Sequence, residues 1–358
     1  MDNNAAISIK SFKGIYTAFF DDQLQDHISD VCDEKCFFII DSNVASLFSQ
    51  SLNSILNRPN VILIEAIETN KSIEKILPIY QTLIDSNIRR DHTLVAIGGG
   101  IIQDITCFIA STLLRGLRWR FIPTTLLSQA DSCIGSKSSI NFGKTKNILG
   151  TFNPPDEIFI CGKFLDTLEE KDILSGIGEM IKVHAIDSAQ SFDDISGDYD
   201  SLLVDRAALT KYIHRSLAIK KRYIEEDEFD RNVRNIFNYG HSFGHAIEAA
   251  TNFGVPHGIA VTMGMDMANR IAAMRGVLPE THYKRMHPML QKNFKTYKST
   301  PIPLEPFLAA LMKDKKNTLS KLGLIFPTGE SAAIQRYEVT LDREFKEQCS
   351  VFLNEMTL

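Results

Sequence analysis

The sequence predicts an α/β protein in two parts, a mostly parallel sheet domain over residues 1–160 and a mainly α-helical domain over residues 161–358. Three observations predict it. About the first 150 residues alternate short apolar runs with stretches of helical periodicity, the pattern of βαβ units. After Asn153-Pro154-Pro155 that alternation gives way to long helical patterns, which places the boundary near Cys161. A length of 358 residues suits two domains, each able to bury its own core.

In order, Cys36–Asp41 reads as a buried strand that ends in an acidic residue and Asn43, and Val61–Glu65 as a second strand. A helix is expected from Ile73 to Ser86, then the strand Thr93–Ile97, which opens onto Gly98-Gly99-Gly100. Ile101–Leu114, containing Asp104, has helical length, and Arg120–Pro123 is a short strand running into Thr124-Thr125. The second part carries helical patterns over Ser175–Ser188, Ser201–Glu225, Asn232–Thr251, Gly258–Arg275, Glu280–Phe294 and Leu304–Lys313. The acidic run Glu225–Glu228 reads as a solvated helix end. A single late strand, Leu322–Phe326, precedes an amphipathic closing helix over Leu341–Leu353.

Hydrophobic content of 44%, charged content of 23% and a net charge of -5 describe a globular protein for small molecules and exclude nucleic acid as a partner. The six cysteines show no paired framework, and several lie within apolar runs, so a reducing, cytoplasmic setting is expected. No basic region precedes an apolar core at the N-terminus, and no apolar run approaches the roughly 18 residues that span a bilayer, so no membrane contact is expected.

Consecutive glycines between a strand and a helix let backbone N–H groups approach a diphosphate, in the manner of a Rossmann-like domain. Gly98–Gly100 lacks the GxGxxG spacing, and a tight turn by itself would also select glycine; the absence of GxxxxGK[ST] favours a dinucleotide over a triphosphate. Farther on, Asp131–Lys137 and Gly143–Asn147 read as small-residue loops that set lysine and asparagine beside backbone N–H groups. With Arg115, Lys146 and Lys182 they suit a phosphate or carboxylate ligand.

Arg234, Asn238, His241, His245 and Glu248 are spaced four, three, four and three apart, which on one helix gives a single polar face. Two histidines four apart can share a metal; the glutamate of zinc-peptidase helices is replaced by Ser242, so no peptidase is indicated. Such a pair alone would read as ordinary histidines. His257, in Pro256-His257-Gly258, and Glu179, which shares a helix face with Lys182, turn the reading toward a metal held by a glutamate and two histidines.

These blocks together resemble the sugar phosphate cyclases, most closely the 3-dehydroquinate synthase family: GGGxxxD at Gly98–Asp104, LRG at Leu114–Gly116, PTTLLSQADS at Pro123–Ser132, GKTKNxxGxF at Gly143–Phe152, GEMIK at Gly178–Lys182, NYGHSFGHAIE at Asn238–Glu248, PHG at Pro256–Gly258 and DKKN at Asp314–Asn317. The resemblance implies a metal, zinc or cobalt, on Glu179, His241 and His257, with the active site in a cleft between the two domains. It implies NAD contacts from Gly99, Gly100, Asp104, Thr124, Thr125, Lys146 and Thr167, with Glu68 and Lys71 on the ribose side and Asp41 and Asn43 beside them. Substrate contacts are implied for Asp131, Lys137, Asn147, Lys182, Lys220, Arg234, Asn238, His245 and one of Lys315 or Lys316; among these Lys182, His245, Asn238, Arg234 and Lys137 carry the catalytic roles. Arg115 resembles an arginine that reaches across a homodimer interface.

The activity so implied is conversion of 3-deoxy-D-arabino-heptulosonate 7-phosphate to 3-dehydroquinate, in the shikimate pathway of aromatic amino acid biosynthesis. It proceeds by transient oxidation, phosphate elimination, re-reduction and aldol closure. Gln103, Ser136, Val183-His184 and Ile259 depart from the family's usual residues and leave ligands intact. They keep open a cyclase for sedoheptulose 7-phosphate or an amino or hexose analogue. A metal-dependent polyol dehydrogenase and a non-catalytic NAD-binding protein are also compatible with the glycine-rich turn and the late histidines.

Overall fold

The computed structural model describes residues 6–29, 31–143, 145–313 and 321–357. Two compact units divide the chain, one within Met1–Glu169 and Ile213–Asp230, the other within Glu170–Tyr212 and Arg231–Leu358. The single cut expected at 160/161 is therefore replaced by three crossings. Residues 213–230 join the first unit for a physical reason. Glu225 Oε1 accepts from Lys10 N at 2.9 Å and Glu228 Oε2 from Phe12 N at 2.8 Å, while Phe229 packs against the rings of Phe12 and Phe152. The acidic run is a helix end exposed at Glu225 and Glu226, as expected, and two of its carboxylates also accept from backbone amides of the first strand, Ala6–Ser11, and the turn that follows it.

The first unit contains strands β1 (Ala6–Ser11), β2 (Gly14–Phe20), β3 (Cys36–Asp41), β4 (Val61–Ile64), β5 (Thr93–Gly98), β6 (Arg118–Pro123), β7 (Lys137–Phe142), β8 (Thr145–Phe152) and β9 (Glu157–Ile160). Its helices are α1 (Leu24–His27), α2 (Ser42–Leu47), α3 (Asn53–Leu56), α4 (Ile73–Asp85) and α5 (Gly100–Thr112). Seven strands form one sheet in the order β1-β2-β9-β6-β5-β3-β4. All neighbours are parallel except the β1–β2 hairpin. Phe38, Ile40, Val95, Ile97 and Ile122 are fully buried in a core shared with Leu24, Leu52 and Ile55. Central parallel strands bury both faces, and hence β3 and β5 are unbroken apolar runs.

The second unit contains α6 (Glu170–Asp187), α7 (Ala189–Gly197), α8 (Tyr199–Val204), α10 (His241–Ala250), α11 (His257–Met274), α12 (Glu280–Asn293), α13 (Leu304–Met312) and α14 (Arg343–Thr357); the intervening α9 (Arg206–Glu226) belongs partly to each unit. An antiparallel hairpin, β10 (Lys321–Thr328) and β11 (Ala333–Thr340), stands where one late strand was expected. No helix among the described residues is long and apolar enough to cross a membrane. All six cysteines are free and buried.

Three further expectations are corrected. The helix expected over Ser201–Glu225 is two helices, because Asp205 turns extended and its Oδ1 caps Ala207 N at 2.8 Å. Of the loops expected over Asp131–Lys137 and Gly143–Asn147, only the ends are strand: Lys137 opens β7 and Thr145–Asn147 open β8, the two strands of an antiparallel hairpin. The helix expected over Asn232–Thr251 is a 3-10 turn, Val233–Asn238, followed by α10, broken where Gly240 takes φ +78°.

Candidate functional site

In the second unit, glycines decide where the site forms. A Cβ on Gly178 would stand 2.2 Å from the Gly258 carbonyl oxygen, and one on Gly258 only 1.8 Å from that of Ser175. The backbones of α6 and α11 touch there, and Gly258 N donates to Ser175 Oγ at 2.9 Å. This contact carries His257, at the start of α11, to Glu179 on α6: Nε2 lies 3.3 Å from Glu179 Oε1. α10 meets α11 in the same fashion, since a Cβ on Gly264 would stand 2.0 Å from the Gly240 carbonyl oxygen. His241, first in α10, has its Nε2 3.6 Å from the same Glu179 Oε1.

One turn from Glu179, Lys182 Nζ lies 2.5 Å from Glu179 Oε2, and the two side chains are 2% and 1% exposed. Glu179 Oε1 is buried and accepts no hydrogen bond of ordinary geometry among the described residues. Donor atoms bound at about 2 Å to one tetrahedral cation stand roughly 3.4 Å apart. The spacings at Glu179 Oε1 match that figure, so the residues present fit a divalent cation. His245 joins the cluster, with one nitrogen each from His241, His245 and His257 within 4.8 Å of one another, but it is exposed.

The electrostatics favour the same reading. Burial would raise the Glu179 carboxyl, but Lys182 together with His241 and His257 holds it well below the ordinary range. Burial, reinforced by Lys182, holds His241 well below the usual histidine value, which keeps its imidazole neutral and able to donate a lone pair. Burial opposes protonation of His257 too, yet the adjoining carboxylates of Glu179 and Glu248 push it up to about 10. The two carboxylates flank the ring of His257, Glu248 at Nδ1 and Glu179 at Nε2.

The break at Gly240 means that only His241, His245 and Glu248 share a helix; Arg234 and Asn238 do not lie on that face. Arg234 is buried within the 3-10 turn, and Asn238 Nδ2 donates to Asn235 O at 2.9 Å.

In the first unit, the glycine turn forms at the end of β5. A Cβ on Gly99 would meet Thr125 Cγ2 at 3.0 Å, and Thr124 N donates to Gly98 O at 2.9 Å, so Thr124 and Thr125 are brought onto the turn. Gly100 opens α5, and one turn along, Asp104 accepts from Lys71 Nζ at 3.0 Å and from Ser139 N at 3.0 Å. Lys71 Nζ also reaches Asn147 Oδ1 at 2.9 Å, and Glu68 Oε1 accepts from Asn141 Nδ2 at 2.9 Å. Glu68, Lys71, Asp104 and Asn147 therefore form one network, although Asn147 was expected with the substrate and the others with the cofactor. Burial raises the Asp104 carboxyl, opposed by Lys71 and Ser139 N–H.

Asp41 Oδ1 accepts from Asn43 N at 2.9 Å, capping α2, and both line a pocket of about 520 Å³ with Glu65 and Ile67. Lys220 Nζ, also buried, donates to Asp131 O at 2.5 Å and lies 3.1 Å from Asp131 Oδ1, and Lys137 pairs with Asp230. Lys146 on β8 and Thr167 at the end of the 3-10 turn Gly162–Thr167 are exposed, as is Arg115, which adopts φ +67°. Lys315 and Lys316 lie outside the described residues.

Of the departures noted in the sequence, Ser136 is buried with no role the structure explains, while the others pack or hydrogen-bond. Gln103 Nε2 donates to Ser132 O at 2.6 Å while Ser132 Oγ donates to Gln103 Oε1 at 2.7 Å, locking α5 to the turn that carries Asp131. Ile259 and Val183 are fully buried core residues, and His184 Nδ1 lies 2.8 Å from Met180 O. The residue that sequence reasoning left without a role is Glu248, whose Oε2 lies 3.2 Å from His257 Nδ1.

A mostly parallel sheet unit and a helical unit form the architecture that this chain shares with solved sugar phosphate cyclases. The family model for the 3-dehydroquinate synthase N-terminal region matches residues 61–175, and that for the C-terminal region matches 176–317. The 3-dehydroquinate synthase of Thermoanaerobacter sp. (strain X514) is 35% identical over 301 residues, 82% of this chain and 85% of the relative. That of Clostridium tetani is 34% identical over 306 residues, 85% of this chain and 80% of the relative. The chain belongs to the 3-dehydroquinate synthase family, and it is an enzyme of the phosphate-eliminating cyclase type, a carbon–oxygen lyase. Among solved structures, 2-epi-5-epi-valiolone synthase from Streptomyces hygroscopicus subsp. jinggangensis, with NAD+ and Zn2+ bound, superposes with a TM-score of 0.83 at 25% identity, covering 95% of this chain and 97% of that one. A 2-deoxy-scyllo-inosose synthase complexed with carbaglucose-6-phosphate, NAD+ and Co2+ shares the fold, with a TM-score of 0.82 at 20% identity over 98% of this chain and 99% of that one.

Proposed function

We propose that this chain carries out the reaction of its family, converting 3-deoxy-D-arabino-heptulosonate 7-phosphate to 3-dehydroquinate and phosphate with NAD and a divalent cation, zinc or cobalt. The observation that carries the proposal is the convergence of His241 and His257 on one buried oxygen of Glu179, beside Lys182, in a chain that matches both family models.

Glu179, His241 and His257 would hold the cation, which when bound supplies Lewis acidity toward a substrate alcohol. Gly99, Gly100, Asp104, Thr124, Thr125, Lys146 and Thr167, with Asp41, Asn43, Glu68 and Lys71, would hold NAD, which supplies a reversible hydride acceptor. Lys137, Lys182, Lys220 and Arg234 bind the substrate's phosphate and carboxylate through charge-assisted hydrogen bonds, helped by Asp131, Asn147, Asn238 and one of Lys315 or Lys316. His245 carries a proton to and from the substrate, a role supported by its exposed imidazole, whose ring lies 5.4 Å from that of His241 and 5.6 Å from that of His257. The protein works as a cytoplasmic homodimer in which Arg115 serves the partner's site; its exposure and the free, buried cysteines support this.

The test is direct. Given NAD, Zn2+ and the heptulosonate phosphate, the protein releases inorganic phosphate, accumulates no NADH and yields 3-dehydroquinate by mass spectrometry. Phosphate release from sedoheptulose 7-phosphate or a hexose phosphate alone would make it a different cyclase. Net NADH from a polyol would make it a dehydrogenase, and a metal-free chain without either activity would be a binding protein. Light scattering reports the dimer.

A further inference from the structure

We propose that Glu248 is a positioning residue of the metal site, whose carboxylate fixes the tautomer and the aim of His257. The inference rests on reading Glu179, His241 and His257 as the metal ligands.

Glu248 Oε2 lies 3.2 Å from His257 Nδ1, while the other ring nitrogen, Nε2, faces Glu179 Oε1 at 3.3 Å. An imidazole whose Nδ1–H donates to a carboxylate keeps its proton there and turns the Nε2 lone pair the opposite way. His241 is arranged alike: its Nδ1 lies 3.3 Å from the Tyr239 carbonyl oxygen, and its Nε2 faces Glu179 Oε1 at 3.6 Å. Both histidines thus present Nε2 to a single carboxylate oxygen. Their supports differ in charge, a neutral carbonyl behind His241 and an anionic carboxylate behind His257. The carboxylate makes His257 the more basic donor of the two.

The local chain holds Glu248 in place. It lies on α10 two turns beyond His241, with a side chain only 13% exposed. Its carbonyl accepts from Phe253 N at 2.7 Å and from Thr251 Oγ1 at 3.3 Å, closing the turn that leads to Pro256 and His257. Within that turn Asn252 and Phe253 take left-handed φ values of +50° and +61°, which brings the chain back over its own helix within nine residues.

The test compares Zn2+ affinity of the metal-stripped full-length protein with that of Glu248→Ala, Glu248→Gln and His257→Ala, by competition with a chromophoric chelator. Glu248→Ala is expected to bind Zn2+ about 10–100-fold more weakly. Glu248→Gln, which keeps an acceptor oxygen without the charge, is expected to fall between. The visible spectrum of the Co2+-loaded protein shifts in the alanine variant and is largely restored by glutamine, while NAD binding is unchanged in both. If the alanine chain does not fold, Glu248→Met, of similar volume and without an acceptor, takes its place. Wild-type affinity in Glu248→Ala together with loss in His257→Ala overturns the inference alone. Wild-type affinity in His257→Ala as well overturns the reading of the metal site and the inference with it.

Discussion

Lys182 Nζ and Glu179 Oε2 lie 2.5 Å apart on one face of α6, and both side chains are almost wholly buried. The pair neutralises itself but leaves Glu179 Oε1 directed at His241 and His257. Lys182→Met removes the compensating charge and strands a buried carboxylate, which costs roughly 3–5 kcal/mol. Urea denaturation of the metal-free protein measures this loss, and Zn2+ is expected to restore more stability to the variant than to the wild type. Equal stability of the two metal-free chains would count against the pair's role.

Metal-free protein should lose stability in alkali. His257 ordinarily titrates at 6.5; burial lowers it, but Glu179 and Glu248 push it up to about 10 in the folded chain. A raised value means that the folded state binds the proton more tightly, so the contribution is fully present below pH 6.5 and is lost as pH climbs through about 10. The Tm of metal-free protein therefore falls across that window, and Zn2+ binding there releases a proton. Calorimetry in buffers of different ionisation heat reads the proton, and a Tm without slope would refute the assignment.

Gly258→Ala tests the backbone contact that brings His257 to Glu179. The added Cβ would stand 1.8 Å from Ser175 O, and backbone cannot yield as a flexible side chain does. Overpacking of this kind costs roughly 1–3 kcal/mol, and Zn2+ affinity should drop with it. Gly197→Ala is the control: a Cβ there meets nothing within 4 Å, and stability should stay within about 0.5 kcal/mol.

Lys71 joins Asp104 to Asn147 in the first unit. Burial already raises the Asp104 carboxyl, and Lys71→Met raises it further by deleting the opposing charge. NAD affinity measured by calorimetry should fall at least about tenfold, a change of about 1.4 kcal/mol. Unaltered affinity would separate this network from the cofactor.

How much was legible followed from burial. β3 and β5 read as apolar runs because both their faces are covered, and α4, α5, α11 and α12 read within a few residues of their ends because their apolar periodicity is regular. β8 is exposed along most of its length and β1 alternates exposed and buried residues at the sheet edge, so neither shows as a run; both form by pairing across a hairpin. The polar spacing from Arg234 to Glu248 suggested one helix, but Gly240 breaks it, because α11 approaches too closely for any side chain there.

By itself the sequence determined the residue types that can bind a cation and a dinucleotide, and the order in which strands and helices present them, because composition and periodicity are local properties. Only tertiary structure decided which atoms meet. Glu179, His241 and His257 lie on three helices whose approach is set by backbone contacts at Gly178, Gly240, Gly258 and Gly264. The pairing of Glu248 with His257 likewise depends on a left-handed turn at Asn252 and Phe253, a conformation that neither residue dictates.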